Sequence, residues 1–177
     1  KINPSGSAFV YCGYIGGSAY DSLADVEVDG SGAVYLVGGS LSTEATFPVS
    51  VGPDLTHNGL YDAFVGKLNS SGTALVYCGY LGGSENDGAF GIFVDGSGCL
   101  YTCGYARSTE STFPVSGGPD LTHNGDRDAF IAKVKADGTG LSLCGYLGGS
   151  GNDCGRDVAV DKAGNIYLCG YGTSTEV

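Results

Sequence analysis

Two histidines are the first candidates for chemistry, because imidazole acts as a general base and as a metal ligand near neutral pH. His57 and His123 lie in the same six-residue segment, DLTHNG, which occurs twice. The chain contains no HExxH zinc motif, no GxSxG nucleophile elbow and no P-loop. Because a catalytic group would not ordinarily be copied in each repeat, we predict that the protein is not an enzyme. We expect each histidine to bond the nearby Asp54 or Asp120.

Seven cysteines form the second group of candidates. No CxxC pair occurs, and neither histidine lies at zinc-finger spacing from a cysteine, so the pattern argues against a zinc site. Two interpretations stay open: disulfides formed in an oxidising compartment with one thiol left over, or thiols that pack as small apolar side chains. The seven are Cys12, Cys78, Cys99, Cys103, Cys144, Cys154 and Cys169.

A glycine-rich loop followed by an aspartate is the third candidate. Residues 148–154 read GGSGNDC, which fits the start of the calcium-binding repeat GGxGxDx, and residues 82–88 read GGSENDG. Asp87 and Asp153 are therefore the calcium candidates, and we expect no other metal or cofactor. The alternative is a turn in which each aspartate accepts hydrogen bonds from backbone N–H groups, since calcium loops of this type recur every nine residues.

The composition indicates which elements must carry these residues. Glycine accounts for 33 of 177 residues, 42% of residues are hydrophobic, and 12 tyrosines and 7 phenylalanines supply the bulk. A mostly helical protein is excluded, because glycine costs about 1 kcal/mol per helical position relative to alanine. The apolar content argues against disorder, and no apolar run approaches the roughly 18 residues of a membrane helix. We therefore predict a turn-rich, all-β protein without membrane insertion.

The charge excludes one class of partner. The chain carries 8 Lys and Arg against 19 Asp and Glu, for a net charge of −11. Without a basic patch to neutralise phosphates, nucleic acid is not an expected partner. The chain starts at Lys1 without an apolar leader, so we expect a processed or partial product. The cysteine count favours an extracellular or cell-surface location.

An internal repeat of 66 residues is the strongest signal in the sequence. Residues 1–66 and 67–132 are identical at 40 aligned positions, and a third, shorter copy occupies residues 133–177. The chain is therefore one array of about 2.7 repeats.

Each repeat contains two segments in which apolar runs flank a turn. Residues 62–80 read DAFVGKLNSSGTALVYCGY, and residues 89–105 read AFGIFVDGSGCLYTCGY. In both, Asn or Asp begins the turn, and a glycine follows that can adopt the positive φ of a tight hairpin. This pattern predicts four antiparallel strands in each repeat, which we label A to D. Strands that are apolar on both faces indicate β-propeller blades, with a solenoid or β-sandwich as the alternative.

These units resemble the SBBP family of β-propeller repeats. The resemblance rests on DAFVGKLNSSGTALVYCGYLGGS at 62–84, GIFVDGSGCLYTCGY at 91–105 and STESTFPVS at 108–116, and it extends over essentially the whole chain. The family occurs in secreted and surface proteins of bacteria and some archaea. The resemblance therefore implies a propeller fold and a surface location, and it supplies no catalytic residues.

The predicted strand order leaves the array incomplete at both ends. The chain begins with the tail of a C strand at 1–3 and a D strand, continues through two full sets, and ends after A and B. This order predicts 11 strands. Because 11 strands make fewer blades than the four of the smallest propellers, the chain cannot close a ring alone. Because open strand edges pair with other chains, we expect a structural protein. Its expected partners are copies of itself or further repeats, in a filament or larger surface assembly.

Two long segments favour an alternative function. Residues 40–61 and 106–127 link strands B and C in the first two repeats. Loops of this length in a compact domain often carry binding sites, so the alternative is adhesion to a glycan or protein ligand. The second interpretation, which the sequence supports equally, is that the loops are packed blade edges held on the sheet by Phe47 and Phe113.

Overall fold

A computed structural model describes residues 1–175, and all of its regular structure in this range is β-strand. The strands are β1 Asp21–Val28, β2 Val34–Ser40, β3 Asp62–Leu68, β4 Leu75–Leu81, β5 Asp87–Val94, β6 Leu100–Ala106, β7 Asp128–Val134, β8 Leu141–Leu147, β9 Asp153–Val160 and β10 Ile166–Gly172. Within the described range there is no helix that is long and apolar enough to cross a membrane.

The strands form three sheets in which chain order and sheet order coincide. Strands β1 to β4 form the first antiparallel blade, β5 to β8 form the second, and β9 pairs with β10 as half of a third. This arrangement confirms the prediction of four-stranded, propeller-like blades with an open ring.

The hairpin turns follow the predicted pattern of Asn or Asp followed by glycine. Between β1 and β2, the Asp29 Oδ1 accepts hydrogen bonds from the backbone N–H groups of Ser31 at 2.9 Å and Ala33 at 3.0 Å. Gly32 completes the turn at a φ of 84°, which an L side chain adopts only with strain. The equivalent turn glycines also have positive φ: Gly6, Gly72, Gly98, Gly138 and Gly164.

Successive blades pack face to face. Tyr35 and Val37 of β2 lie in one buried cluster with Ile92 of the second blade. One repeat later, Tyr101 of β6 packs in a second cluster with Val158 of β9. Burying an apolar side chain of this size stabilises the fold by about 1.5–3 kcal/mol. The core therefore lies between blades as well as within them.

The eleventh strand, expected as a D strand near the N-terminus, does not form. Residues 1–14 contain only a single β-bridge, between Ile2 and Phe9. Phe9 and Tyr14 are exposed to solvent. In the complete blades the D strand is bonded along its length to a C strand, whereas here only the tail of a C strand precedes it. The prediction of 11 strands is wrong for this reason, and the described residues form ten.

Candidate functional site

The aspartate predicted as a calcium ligand caps a loop. Oδ2 of Asp87 accepts hydrogen bonds from the Gly83 N–H at 2.8 Å and the Ser108 hydroxyl at 2.6 Å. Its Oδ1 accepts from the backbone N–H groups of Arg107 at 3.0 Å and Ser108 at 3.1 Å. Four donors thus occupy the lone-pair sites that a carboxylate offers. The capping interpretation is confirmed at this position.

The same cap recurs in the other two repeats. Asp21 accepts a hydrogen bond from the Gly17 N–H at 2.7 Å, and Asp153 accepts one from the Gly149 N–H at 3.0 Å. Across residues 1–175, no three His, Cys, Asp or Glu side chains are grouped so as to hold a metal ion. Calcium binding at Asp87 and Asp153 stays a prediction, and an ion there would have to displace the capping donors.

Burial sets the three caps apart electrostatically. Desolvation raises the pKa of Asp87 above its ordinary value, despite the hydrogen bonds that favour its charged form. At Asp21 and Asp153 burial also opposes ionisation, but serine hydroxyl and backbone N–H donors outweigh it and lower the pKa. The first and third repeats therefore hold a more readily ionised carboxylate than the second.

The histidines do not bond the aspartates predicted for them. The His57 Nε2 lies 3.1 Å from the Ser40 carbonyl oxygen, and its ring contacts the Tyr80 ring with centroids 5.4 Å apart. Asp54 instead accepts the backbone N–H of Thr56 at 2.9 Å, so its carboxylate is committed to its own turn. The second histidine repeats these contacts. Each histidine therefore holds its loop against the end of the preceding strand.

All seven cysteines are free thiols, and no disulfide occurs within residues 1–175. Burial raises the pKa of Cys78, Cys103 and Cys144 to about 12, so these thiols stay protonated. Packing as small apolar side chains describes these three and the buried Cys154, and the disulfide interpretation gains no support. Cys12, Cys169 and the partly exposed Cys99 remain in contact with solvent.

The long loop between β2 and β3 folds back onto the outer strand of its own blade. The Ser50 N–H donates to the Cys78 carbonyl at 3.0 Å, and the Cys78 N–H donates to the Val51 carbonyl at 2.7 Å. The loop between β6 and β7 pairs with β8 in the same way, through Ser116 and Cys144. The outer edges of both complete blades are therefore occupied in part by the chain itself.

Each of these loops is anchored by a buried phenylalanine, as the sequence predicted. The Phe47 ring lies 4.9 Å from the Phe64 ring, and the Phe113 ring lies 5.3 Å from the Phe130 ring, centroid to centroid. Aromatic pairs in this range add about 0.5–1.5 kcal/mol beyond the area they bury. The loops are therefore packed parts of the blades.

Strand β10 lacks the neighbour that its counterparts have. Within residues 1–175 it pairs only with β9, whereas β2 and β6 each pair on both sides. Tyr167 of β10 is 57% exposed, against 0% for Tyr35 and 4% for Tyr101 at the equivalent positions. Cys169 is exposed, although its counterpart Cys103 is buried. We call the surface formed by Tyr167 and Cys169 the tail face.

The first blade exposes an apolar surface at the opposite end of the array. Val26 is 56% exposed, whereas the equivalent Ile92 and Val158 are 7% and 5% exposed under the preceding blade. Leu23 and Val28 are exposed beside it. These three side chains, with Tyr11, Val34 and Leu36, line a groove of about 620 Å³, which we call the head groove.

Sequence reasoning missed two buried carboxyl groups, Asp62 and Asp128. Each accepts one backbone N–H through Oδ2, from Asn58 at 2.8 Å and from Asn124 at 2.9 Å. The Oδ1 of each is buried without a hydrogen-bond partner among residues 1–175. Burial raises the pKa of Asp62 to about 6, and the nearby Asp87 carboxylate adds to the rise. The available signal was an aspartate at the start of each apolar C strand, an unfavourable place for a charge.

Comparison with known families is consistent with this architecture. Residues 146–176 match the SBBP family model, which is described as a β-propeller repeat. The matched segment includes β9 and β10, and its pattern recurs 66 residues apart in the preceding copies. The resemblance found in the sequence is thereby confirmed at this segment. A search of curated proteins found no match to the chain.

Proposed function

We propose that this chain, an array of SBBP-type β-propeller repeats, is a non-enzymatic structural protein of the cell exterior that self-assembles through open blade edges. The exposure of Tyr167 at 57%, where its counterparts are 0% and 4% exposed, is the observation that carries the proposal. An apolar strand face that is buried everywhere else in the array is suited to contact another chain. Assembly through such faces gives filaments or larger surface structures.

The direction of assembly follows from which edges the chain already covers. Strands β4 and β8 are bonded in part by their own long loops, whereas among residues 1–175 β10 pairs with β9 alone and no strand lies along its outer side. Unpaired strand edges add further strands readily. Association of copies through such an edge would be a heterologous contact, which builds filaments when it does not close.

The contacts of the chemistry-bearing residues support a structural role. Asp87 caps a loop, His57 braces another, and Cys78 and Cys144 lie in the core. The surface location is part of the proposal because the resemblance of the repeats to those of secreted and surface proteins implies it. The net charge of −11 suits a protein that must stay soluble until it associates.

Multi-angle light scattering after size-exclusion chromatography tests self-assembly. We expect the average mass to rise with protein concentration above the 17.8 kDa of one chain. A single species of 17.8 kDa at every concentration up to the solubility limit would contradict the proposal.

Adhesion through the long loops remains the second candidate, and one observation favours it. Leu55 and Leu121 occupy the same position in the two loops and are 44% and 45% exposed. A glycan array probed with the wild-type chain and with the Leu55→Ser, Leu121→Ser double variant tests this function. We expect the double variant to lose binding. Val76→Ser, an exposed control on β4, should bind as the wild type does. Equal binding by all three proteins would remove the loops as a ligand site.

A further inference from the structure

We propose that five side chains between the second and third blades form a binding site for a small organic carboxylate. We call this site the arginine–aromatic cluster, and its members are Phe90, Tyr105, Arg127, Arg156 and Tyr171. The inference goes beyond the proposed self-assembly and needs no second copy, because both blades that supply these residues belong to one chain.

The five side chains contact one another in a closed circuit. The Phe90 and Tyr105 rings lie 5.7 Å apart, centroid to centroid. The guanidinium carbon of Arg127 lies 5.1 Å from the Tyr105 ring centroid and 5.6 Å from the Tyr171 centroid. The guanidinium carbon of Arg156 lies 4.5 Å from the Phe90 centroid and 5.2 Å from the Tyr171 centroid. Each distance is within the roughly 6 Å of a cation–π contact, so the three rings hold both guanidinium groups in place.

The two arginines of the cluster lack acidic partners in the part of the chain that the structure describes, although the chain carries 19 Asp and Glu. Arg127 donates one side-chain hydrogen bond, from Nη2 to the Tyr171 hydroxyl at 3.0 Å, and its Nε is buried without a partner. Asp157, next to Arg156 in the chain, instead accepts the backbone N–H of Val158 at 2.8 Å. An arginine side chain has five N–H donors, so both guanidinium groups keep donors for an acceptor from outside the chain.

The interface between the first two blades shows that blades pack without such a cluster. The equivalent positions one repeat earlier carry no arginine: they are Ala24, Gly39, Tyr61, Phe90 and Tyr105. There the Tyr61 ring covers Gly39, where an added Cβ would be 2.3 Å from the ring. Joining two blades therefore does not account for a pair of arginines without acidic partners.

The chemistry of the cluster favours a carboxylate attached to a ring-shaped organic body. The planar guanidinium fork matches the two oxygens of a carboxylate. Sites for small molecules combine aromatic surface, which contacts the body of the ligand, with a few placed polar groups that orient it. The net charge of −11 opposes the approach of a polyanion or a phosphate dianion more strongly than that of a single carboxylate. Acidic sugars and aromatic acids both belong to the ligand class that these properties define.

Nuclear magnetic resonance of the arginine side chains tests the site directly, because the chain has three arginines and therefore three Nε–H signals. The wild-type chain is titrated separately with glucuronate, a sugar acid, and with benzoate, an aromatic acid. We expect the Arg127 and Arg156 signals to shift together and saturate with at least one of these acids, and the acid that binds more tightly identifies the body that the site prefers. The signal of Arg107, which is paired with Asp126 at 3.1 Å, should not shift. Acetate should bind at least about tenfold more weakly, because it has no ring to bury.

Arginine variants test which guanidinium groups hold the ligand. We expect Arg156→Gln to weaken binding of the preferred acid at least about tenfold, because charge-assisted hydrogen bonds to the carboxylate are lost. Arg156 is exposed, so this variant should fold as the wild type does. Arg127→Gln should weaken binding similarly, and circular dichroism checks its fold because Arg127 also bonds Tyr171. Arg107→Gln is the matched control, and it should bind with wild-type affinity because its arginine is already ion-paired.

Three results would overturn the inference. The first is the absence of any shift with glucuronate or benzoate up to their solubility limits, and the second is equal binding by the wild type and Arg156→Gln. The third is tighter binding of inorganic phosphate than of either acid, which would contradict the assignment to a carboxylate. Saturable binding that is lost in Arg156→Gln and kept in Arg107→Gln would support it. Self-assembly is measured separately by light scattering, so either proposal can fail without the other.

Discussion

At the scale of single residues, Asp62 is a carboxyl group that folding places where ionisation is unfavourable. Its pKa is about 6 in the folded chain, against an unperturbed value of about 3.9. The folded state therefore binds more protons than the unfolded state between these values, and this group makes stability fall as pH rises from about 4 to 6. We predict that Asp62→Asn raises the free energy of unfolding at pH 7.5 by about 1–2 kcal/mol, and urea denaturation measures it.

The control for Asp62 is the pH dependence itself. Below about pH 4 the carboxyl is protonated in both states, so wild type and Asp62→Asn should differ much less there than at pH 7.5. Carboxylates with lowered pKa, such as Asp21, contribute the opposite slope in both proteins and cancel in the difference. A constant difference between the two proteins from pH 4 to 7.5 would contradict the burial of a charged group.

The loop-capping aspartates allow a second prediction at the same scale. Asp87→Asn replaces one acceptor oxygen by an NH₂ group that faces backbone or hydroxyl donors, so we expect a loss of about 2–3 kcal/mol in unfolding free energy. Asp21→Asn makes the same exchange in the more open first repeat, where water can compensate, and should cost less. Chemical denaturation compares the two, and equal losses would show that burial does not set the strength of the cap.

At the scale of elements, what could be predicted depended on how local the cause was. The hairpins were predictable because Asp29 and Gly32 form their turn within five residues. The return of each long loop onto its outer strand was not, because the bond from Ser50 to the Cys78 carbonyl joins residues far apart in sequence. The prediction of the histidines' partners was wrong for the same reason, since the partner of His57 is a carbonyl of the preceding strand.

The anchoring of the long loops gives a prediction about an element. Phe113 is buried between the loop and β7, so we expect Phe113→Ala to lower the free energy of unfolding by about 3–5 kcal/mol. It should also release the loop 107–127 for cleavage by a protease while the sheet stays folded. Limited proteolysis with mass mapping measures the release, and Leu121→Ala, exposed in the same loop, is the matched control. Equal protection of the loop in both variants would show that the backbone bonds to β8 hold it alone.

At the scale of the whole molecule, two exposed surfaces are mainly apolar. The head groove is lined by apolar side chains such as Leu23 and Val26 together with Lys1, and the tail face presents Tyr167 and Cys169. The sequence predicted that the array was incomplete, because the repeat could be counted. It could not show that the outer edges of the two complete blades were already covered in part by the long loops.

This distribution of charge predicts how assembly depends on salt. Each copy carries a net charge of −11, so approaching copies repel one another, while the proposed contact itself is apolar. Salt shortens the screening length from about 30 Å at 0.01 M to about 8 Å at 0.15 M, which weakens the repulsion and leaves apolar burial almost unaffected. We therefore expect the assembled mass measured by light scattering to increase between these ionic strengths. A contact made by ion pairs would weaken over the same range, and that result would contradict association through apolar faces.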